Sequence, residues 1–211
     1  MDDHAVVRAG YRRFLEQEPG CEVGDEAASG EEAYALLQKR PPDLLPDLLI
    51  LDLSMPGQGG LATLRRLKQR WPLLPVLVFS MHDGLPFAVQ ALRAGANGYV
   101  TKSSDPAVLT KAVHEVMAGR LAVSPDLAAR LARAGSAQSE QPTLGLSVRE
   151  FDIFRLLAAG RTHEEIATAL NVSVKTVANN HSLIRQKLGI SSDIELLRLA
   201  EASGVLGPTA P

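Results

Sequence analysis

Cysteine is nearly absent: Cys21 is the only one among 211 residues. That excludes an internal disulfide and any cysteine-ligated metal centre, and it fits a reducing, cytoplasmic setting. Cys21 reads as a small buried residue of a strand, and no basic neighbour supports a redox role. Long apolar runs are missing too. Nothing approaches the roughly 18 residues needed to cross a bilayer, and no secretory signal pattern opens the chain. There is no long-period repeat and no strong excess of one charge, the net value being −2. The overall charge therefore does not point to nucleic acid, although its distribution can. What remains is an ordinary soluble composition, 45% hydrophobic and 22% charged, long enough for one large domain or two small ones.

The first 120 residues alternate two signals. Short apolar runs at Leu48–Leu51, Val76–Phe79 and Tyr99–Val100, bounded by Pro, Gly or polar residues, read as buried parallel strands. A weaker strand is expected over Cys21–Ala28. Between them lie amphipathic helices with legible ends. Ser29 with Glu32 forms a capping box, Leu61, Leu64 and Leu67 share one face, Gly95 stops a helix, and Asp105-Pro106 starts another. Strand alternating with helix predicts a doubly wound parallel sheet. Pro125 opens a further helix to about Arg133, and Gly135–Thr143 reads as a polar linker. Beyond it the pattern is wholly helical. Ser147/Glu150, Thr162/Glu165 and Ser192/Glu195 are capping boxes, and Ser173 caps a fourth helix.

Ligands of open parallel sheets sit beyond the carboxyl ends of the strands. Those ends carry Asp52, Ser80 and Lys102, while Asp2-Asp3 precedes the first helix. A carboxylate can attack phosphorus and hold an aspartyl-phosphate, neighbouring carboxylates suit octahedral Mg²⁺, and a hydroxyl and an ammonium can hold the remaining phosphoryl oxygens. The segments Asp2–Gly10, Leu51–Gly57, Val78–Ser80 and Tyr99–Lys102 resemble, in order, the motifs of receiver domains of the NarL/FixJ type. The resemblance implies a flavodoxin-like fold with Asp52 as phosphoacceptor. It implies Mg²⁺ held by Asp3 and Asp52 with help from Asp2 and the Ser54 carbonyl, and phosphoryl sensing by Ser80 and Lys102. It also makes Tyr99 a switch aromatic; as a strand residue alone, Tyr99 serves equally well as core. His4, His82 and His114 read as surface or packing residues without metal-ligand spacing.

In the C-terminal part, Thr162–Leu170 and Ser173–Leu188 form two helices joined at Asn171-Val172. Val174, Val177, Ile184 and Leu188 face inward. Lys175, Ala178, Asn179, Ser182 and Arg185 share the opposite side. From Ser173 to Ile190 there are Lys175, Arg185 and Lys187, plus His181, and no acid. Such a helix can enter the major groove, and Asn179 is the best candidate to read a base because asparagine can bind adenine bidentately. Leu144–Ala202 resembles the LuxR-type four-helix domain through Leu146–Glu150, Glu165–Ala167, Val172–Val177 and Lys187–Gly189. The DNA-facing set expected from this is Lys175, Thr176, Asn179, His181, Ser182, Arg185 and Lys187. Ala178, Asn180 and Glu164 depart from the family's usual basic, histidine and lysine residues, which predicts weaker non-specific binding. Ile194 and Leu197 lie where the family dimerises, and plain core packing explains them equally well.

The expected organisation is therefore a receiver over 1–119, a linker with a short helix over 120–143, and a helix-turn-helix domain over 144–211. The resemblances imply a transcriptional response regulator that binds double-stranded DNA as a homodimer after phosphorylation by a sensor histidine kinase, with Mg²⁺ as cofactor, no membrane association and no enzymatic turnover. Two rivals differ in class. An aspartate-nucleophile phosphatase needs a carboxylate two residues after Asp52, where Ser54 stands. A helix-turn-helix protein with a receiver that is never phosphorylated would bind no phosphoryl mimic. Receivers of this kind also place an apolar strand before the acidic pair, whereas only Met1 precedes Asp2. The expectation is a sheet with its first strand missing, from a natural protein starting upstream. The alternative is a remodelled or partner-completed sheet that leaves Asp2 and Asp3 poorly placed for Mg²⁺.

Overall fold

The computed structural model describes residues 1–55, 59–136 and 142–206. They fall into two compact units, Met1–His82 with Ala94–Ser124, and Asp83–Arg93 with the chain from Pro125 onward. The first unit runs α1 (Ala5–Leu15), α2 (Gly30–Lys39), β1 (Leu49–Leu51), α3 (Gly60–Arg70) and β2 (Val76–Ser80). After α4 (Leu85–Arg93), which groups with the second unit, it continues with β3 (Gly98–Thr101), α5 (Pro106–Met117) and β4 (Ala122–Val123). The four strands are parallel in the order β1-β2-β3-β4. β2, central and buried at every residue, is the run Val76-Leu77-Val78-Phe79-Ser80, the continuous apolar pattern that a strand covered on both faces requires. One face packs Leu77, Phe79 and Val100 against Leu15 of α1 and Leu109, Val113 and Val116 of α5. A second cluster joins Leu37 of α2 and Leu67 of α3 to Leu74, with Leu49 of β1 packed against it. Helices on both faces make the sheet doubly wound, as expected.

The strand expected over Cys21–Ala28 does not form. A strand needs a ladder neighbour, and among the described residues the flank of β1 away from β2 is held by Met1 and Asp2. The Met1 amine donates to Ile50 O (2.9 Å), Met1 O accepts from Asp52 N (3.1 Å), and Asp2 N donates to Ala27 O (3.1 Å). With so short a neighbour, the 21–27 segment is held instead by side chains of α1. Arg12 donates to Val23 O (2.7 Å) and Glu26 (2.6 Å), and Arg8 to Glu26 (3.1 Å). The two-residue strand β4 lacks any sequence signal of its own; it exists because Ala122 and Val123 lie in register with Gly98 and Tyr99.

The second unit adds α6 (Pro125–Ser136), α7 (Val148–Ala158), α8 (His163–Leu170), α9 (Val174–Leu188) and α10 (Asp193–Ala202) to α4. Its core is Leu146, Phe151, Ile153, Phe154, Ile166, Val177, Ile184, Leu196 and Ala200, all buried. Phe87 of α4 meets Phe151 edge-on at 5.2 Å, and Gln90 donates to Leu146 O at 2.9 Å. Of the predicted capping boxes, Ser147/Glu150 and Thr162/Glu165 are complete; at Ser29 and Ser192 only the serine half forms, Glu32 and Glu195 accepting instead from Ala28 N and Ser191 N, and Ser173 caps α9 as expected. Asn171, at φ 51°, ψ 56°, makes the left-handed turn between α8 and α9, a conformation that asparagine tolerates better than most residues. Within the expected linker Gly135–Thr143, Gly135 and Ser136 complete α6 and Pro142 and Thr143 belong to a 3-10 turn. Residues 137–141 lie outside the described residues. α6 passes Arg133 because a glycine costs a helix only about 1 kcal/mol.

Candidate functional site

Asp52 directly follows β1, Ser80 ends β2 and Lys102 directly follows β3, so the parallel sheet delivers all three to one edge. Asp52 is 2% exposed. Its Oδ1 accepts from Ser54 N (3.0 Å) and its Oδ2 from Lys102 Nζ (2.6 Å). The same ammonium pairs with Asp2 Oδ2, and Lys102 N donates to Ser80 O (2.8 Å). One cation thus ties two buried carboxylates. Burial alone would pull the Lys102 ammonium down, but its hydrogen bonds to Asp2 and Asp52 outweigh that and hold it above the usual lysine range. Burial likewise opposes ionisation of Asp2, yet hydrogen bonds from Lys102 and His4 N keep its carboxyl below the usual aspartate value. The start of α3 lies hard against this loop. A Cβ on Gly60 would fall 2.2 Å from Leu53 Cα and 2.8 Å from Asp52 O, so only glycine fits. Ser80 is fully buried and its Oγ accepts from His82 N (3.3 Å). Tyr99 is also fully buried, its hydroxyl donating to His82 O (2.6 Å).

The donor set beside Asp52 suits a hard divalent cation. Ligand atoms of Asp2, Asp3 and His4 lie within 4.8 Å of one another. Asp3 Oδ1 is shielded from water and makes no hydrogen bond, although His4 Nδ1 stands 3.0 Å away. An unsatisfied buried carboxylate oxygen is what a metal would relieve. Asp2 is tied to Asp52 through Lys102, and Asp3 lies with Asp2 and His4 in a cluster that does not include Asp52. Ser54 is exposed next to them. The Pro56-Gly57 end of the motif lies outside the described residues. Sequence reasoning had set His4 aside as a surface residue. It is 68% exposed in its side chain but borders the acidic pair, and its position next to Asp3 was the available signal.

In the second unit the expected DNA-facing residues separate. Lys175, Asn179 and Ser182 are exposed on one side of α9, Ser182 Oγ donating to Ala178 O (3.2 Å). Thr176 is half-buried, its hydroxyl 2.8 Å from Ser173 Oγ. Lys187 reaches Glu150 (2.7 Å) and Arg185 reaches Asp193 (3.0 Å). Burial opposes the charge on Glu150, but Lys187 and the Ser147 cap hold its carboxyl below the usual value. His181 turns inward, 13% exposed, with Nδ1 3.0 Å from His163 Nε2 and Nε2 3.2 Å from Asp193. Among the described residues no helix is long and apolar enough to cross a membrane.

Comparison with known proteins assigns both parts. Residues 1–114 match the response regulator receiver domain, and residues 144–200 match the bacterial regulatory proteins of the luxR family. The chain is 41% identical over 209 residues to the transcriptional activator protein ExaE of Pseudomonas putida, covering 98% of this chain and 96% of that one. It is 36% identical over 199 residues to the nitrate/nitrite response regulator NarL of Escherichia coli, covering 92% and 90%. Its structure is similar to RcsB of Salmonella enterica serovar Typhimurium bound to promoter rprA in the presence of a beryllofluoride phosphomimetic. That match has TM-score 0.77 and 29% identity over 95% of each chain.

Proposed function

The chain belongs to the two-component response regulators that couple a receiver domain to a LuxR-type helix-turn-helix, and from that premise we propose that it regulates transcription by dimerising on double-stranded DNA when Asp52 is phosphorylated. The observation that carries the reading is the buried Asp52 carboxylate at the end of β1, held by Lys102 at 2.6 Å beside the acidic pair. The Asp52 carboxylate attacks the phosphorus of a histidine kinase's phosphohistidine, forming the aspartyl-phosphate and releasing the imidazole. Asp2, Asp3 and Asp52, with the Ser54 carbonyl, are the residues that would hold Mg²⁺. When bound, the ion neutralises phosphoryl charge and orients the transferred group. Lys102, already on Asp52, and Ser80 on the neighbouring strand take the phosphoryl oxygens. Tyr99, anchored to His82 O, reads out the change.

The chain acts as a stoichiometric switch and not as a turnover enzyme, since no carboxylate stands two residues after Asp52 to serve as general acid. We assign 1–119 to the receiver, 120–143 to the connection and 144–211 to DNA binding, working in the cytoplasm. Asn179 meets a base edge, and Lys175, Thr176 and Ser182 the backbone. Arg185 and Lys187 join once their carboxylate partners yield to phosphates. Leu183, Ile194 and Leu197, exposed among the described residues, supply the dimer face. The test is intact mass after incubation with acetyl phosphate and Mg²⁺. Wild type gains one phosphoryl group and Asp52→Asn none; equal uptake by both overturns the assignment.

A further inference from the structure

The helix-turn-helix contains a histidine pair set apart from the exposed Lys175, Asn179 and Ser182 of α9. His163 is the first residue of α8, and His181 lies in the middle of α9. Their rings are perpendicular, with centroids 5.3 Å apart, and His163 Nε2 lies 3.0 Å from His181 Nδ1. The other nitrogen of His181 lies 3.2 Å from Asp193, at the first position of α10. One imidazole therefore bridges three helices. The two nitrogens of His181 face different groups: Nδ1 shares a hydrogen bond with His163, whereas Nε2 makes none and meets Asp193 only as a nearby charge.

Proton counting gives this pair a threshold. With no added proton, one imidazole donates N–H and the other accepts. With one added proton, the N–H⁺···N bond persists and Asp193 faces the charge. With two, both facing nitrogens carry hydrogen, the bond cannot exist, and two imidazolium cations crowd together with Arg185, which already occupies Asp193 at 3.0 Å. The other charged groups on the surrounding helices are committed elsewhere: Glu150 of α7 to Lys187, Arg155 to Asp152, and Glu165 of α8 to Thr162 N and Arg161. The carboxylate that lies against His181 is Asp193.

We propose that His163 and His181 form a proton-gated latch across the helix-turn-helix: it holds α8 to α9 while the pair carries at most one added proton, and a second proton opens it and weakens DNA binding. Burial, the largest influence on His181, keeps its imidazolium below the ordinary histidine range, with Asp193 opposing and Arg185 and His163 reinforcing. The sign follows. A histidine depressed in the folded state contributes full stability above its unfolded value of about 6.5 and loses it as pH falls further. His181 sits between Asn179 and Arg185 on α9, so release of α8 disturbs the surface that meets DNA. A histidine lying on the DNA face would do the opposite, gaining charge and affinity on acidification.

The latch rests on the DNA-binding reading for its consequence but not for its existence, so two readouts separate them. The first is ¹H–¹⁵N NMR of the histidine rings in the full chain with EDTA between pH 8 and 5.5. Coupled titration of His163 and His181, with loss of their shared hydrogen bond at the acid end, is expected; independent titration overturns the latch. The second is fluorescence anisotropy with a duplex selected at pH 8, at fixed ionic strength. Wild-type affinity should fall about tenfold by pH 5.5, the factor one net hydrogen bond is worth, while His163→Gln should bind comparably at pH 8 and lose most of the pH dependence. Affinity that holds or rises on acidification, or an identical fall in His163→Gln, overturns the gating. If wild type binds no duplex at pH 8, the DNA reading fails and the NMR titration alone decides the latch.

Discussion

Replacing Lys102 by alanine separates the electrostatics of the phosphorylation pocket from its packing. Lys102 and its two partners are almost wholly enclosed, with 8%, 9% and 2% of the Lys102, Asp2 and Asp52 side chains exposed. Removing the cation leaves two carboxylates in a low-dielectric site. Breaking a single buried pair from one side costs about 3–5 kcal/mol, a large share of a domain's total of about 5–15 kcal/mol. The loss should depend on pH in a defined direction. In wild type, Asp2 is held below its usual value, so its stabilisation is present above about pH 3.9 and is lost as pH falls through the lowered value. Without Lys102, burial dominates and the Asp2 carboxyl takes up a proton more readily, so the deficit is largest near pH 7 and shrinks toward pH 4.5. The only tryptophan, Trp71, lies in the same unit, and its fluorescence follows that unit during urea unfolding in EDTA. A deficit under about 1 kcal/mol at pH 7, or one equal at both pH values, refutes the reasoning.

Tyr99→Phe removes one hydrogen bond to His82 O and should cost about 0.5–1.5 kcal/mol by the same urea assay, while reducing the response of DNA affinity to beryllofluoride. Asn179→Ala should relax preference at one operator position, costing about 1–3 kcal/mol there. Lys175→Ala should weaken all sequences alike and lower the salt slope by about one; binding-site selection and salt titration check both. Thr162→Ala removes the cap of α8 and should destabilise the second unit by about 1 kcal/mol, measured by calorimetry.

The parts of this fold that were readable were those with local causes. The β2 run, the capping residues of α7 to α10 and the Asp105-Pro106 start each carry their signal within a few residues. The strand expected at Cys21–Ala28 failed because its signal was weak, with Glu22, Gly24, Asp25 and Glu26 in the segment, and because pairing is not local: among the described residues, Met1 and Asp2 hold that flank of β1. β4 was missed for the complementary reason, two residues becoming strand only through their register with β3. At the sites, order along the sheet brought Asp52, Ser80 and Lys102 to one edge, as strand polarity requires. That Lys102 would hold Asp2 as well as Asp52, and that His181 would turn inward to His163, depends on side chains 100 and 18 residues apart. No periodicity records such distances.

The most direct test of the account measures affinity of the full chain for its selected duplex with and without beryllofluoride and Mg²⁺, for wild type and Asp52→Asn. The account predicts that the mimic tightens wild-type binding and promotes dimerisation on the duplex, while Asp52→Asn responds to neither. Equal affinity of wild type with and without the mimic, or an undiminished response in Asp52→Asn, would contradict it.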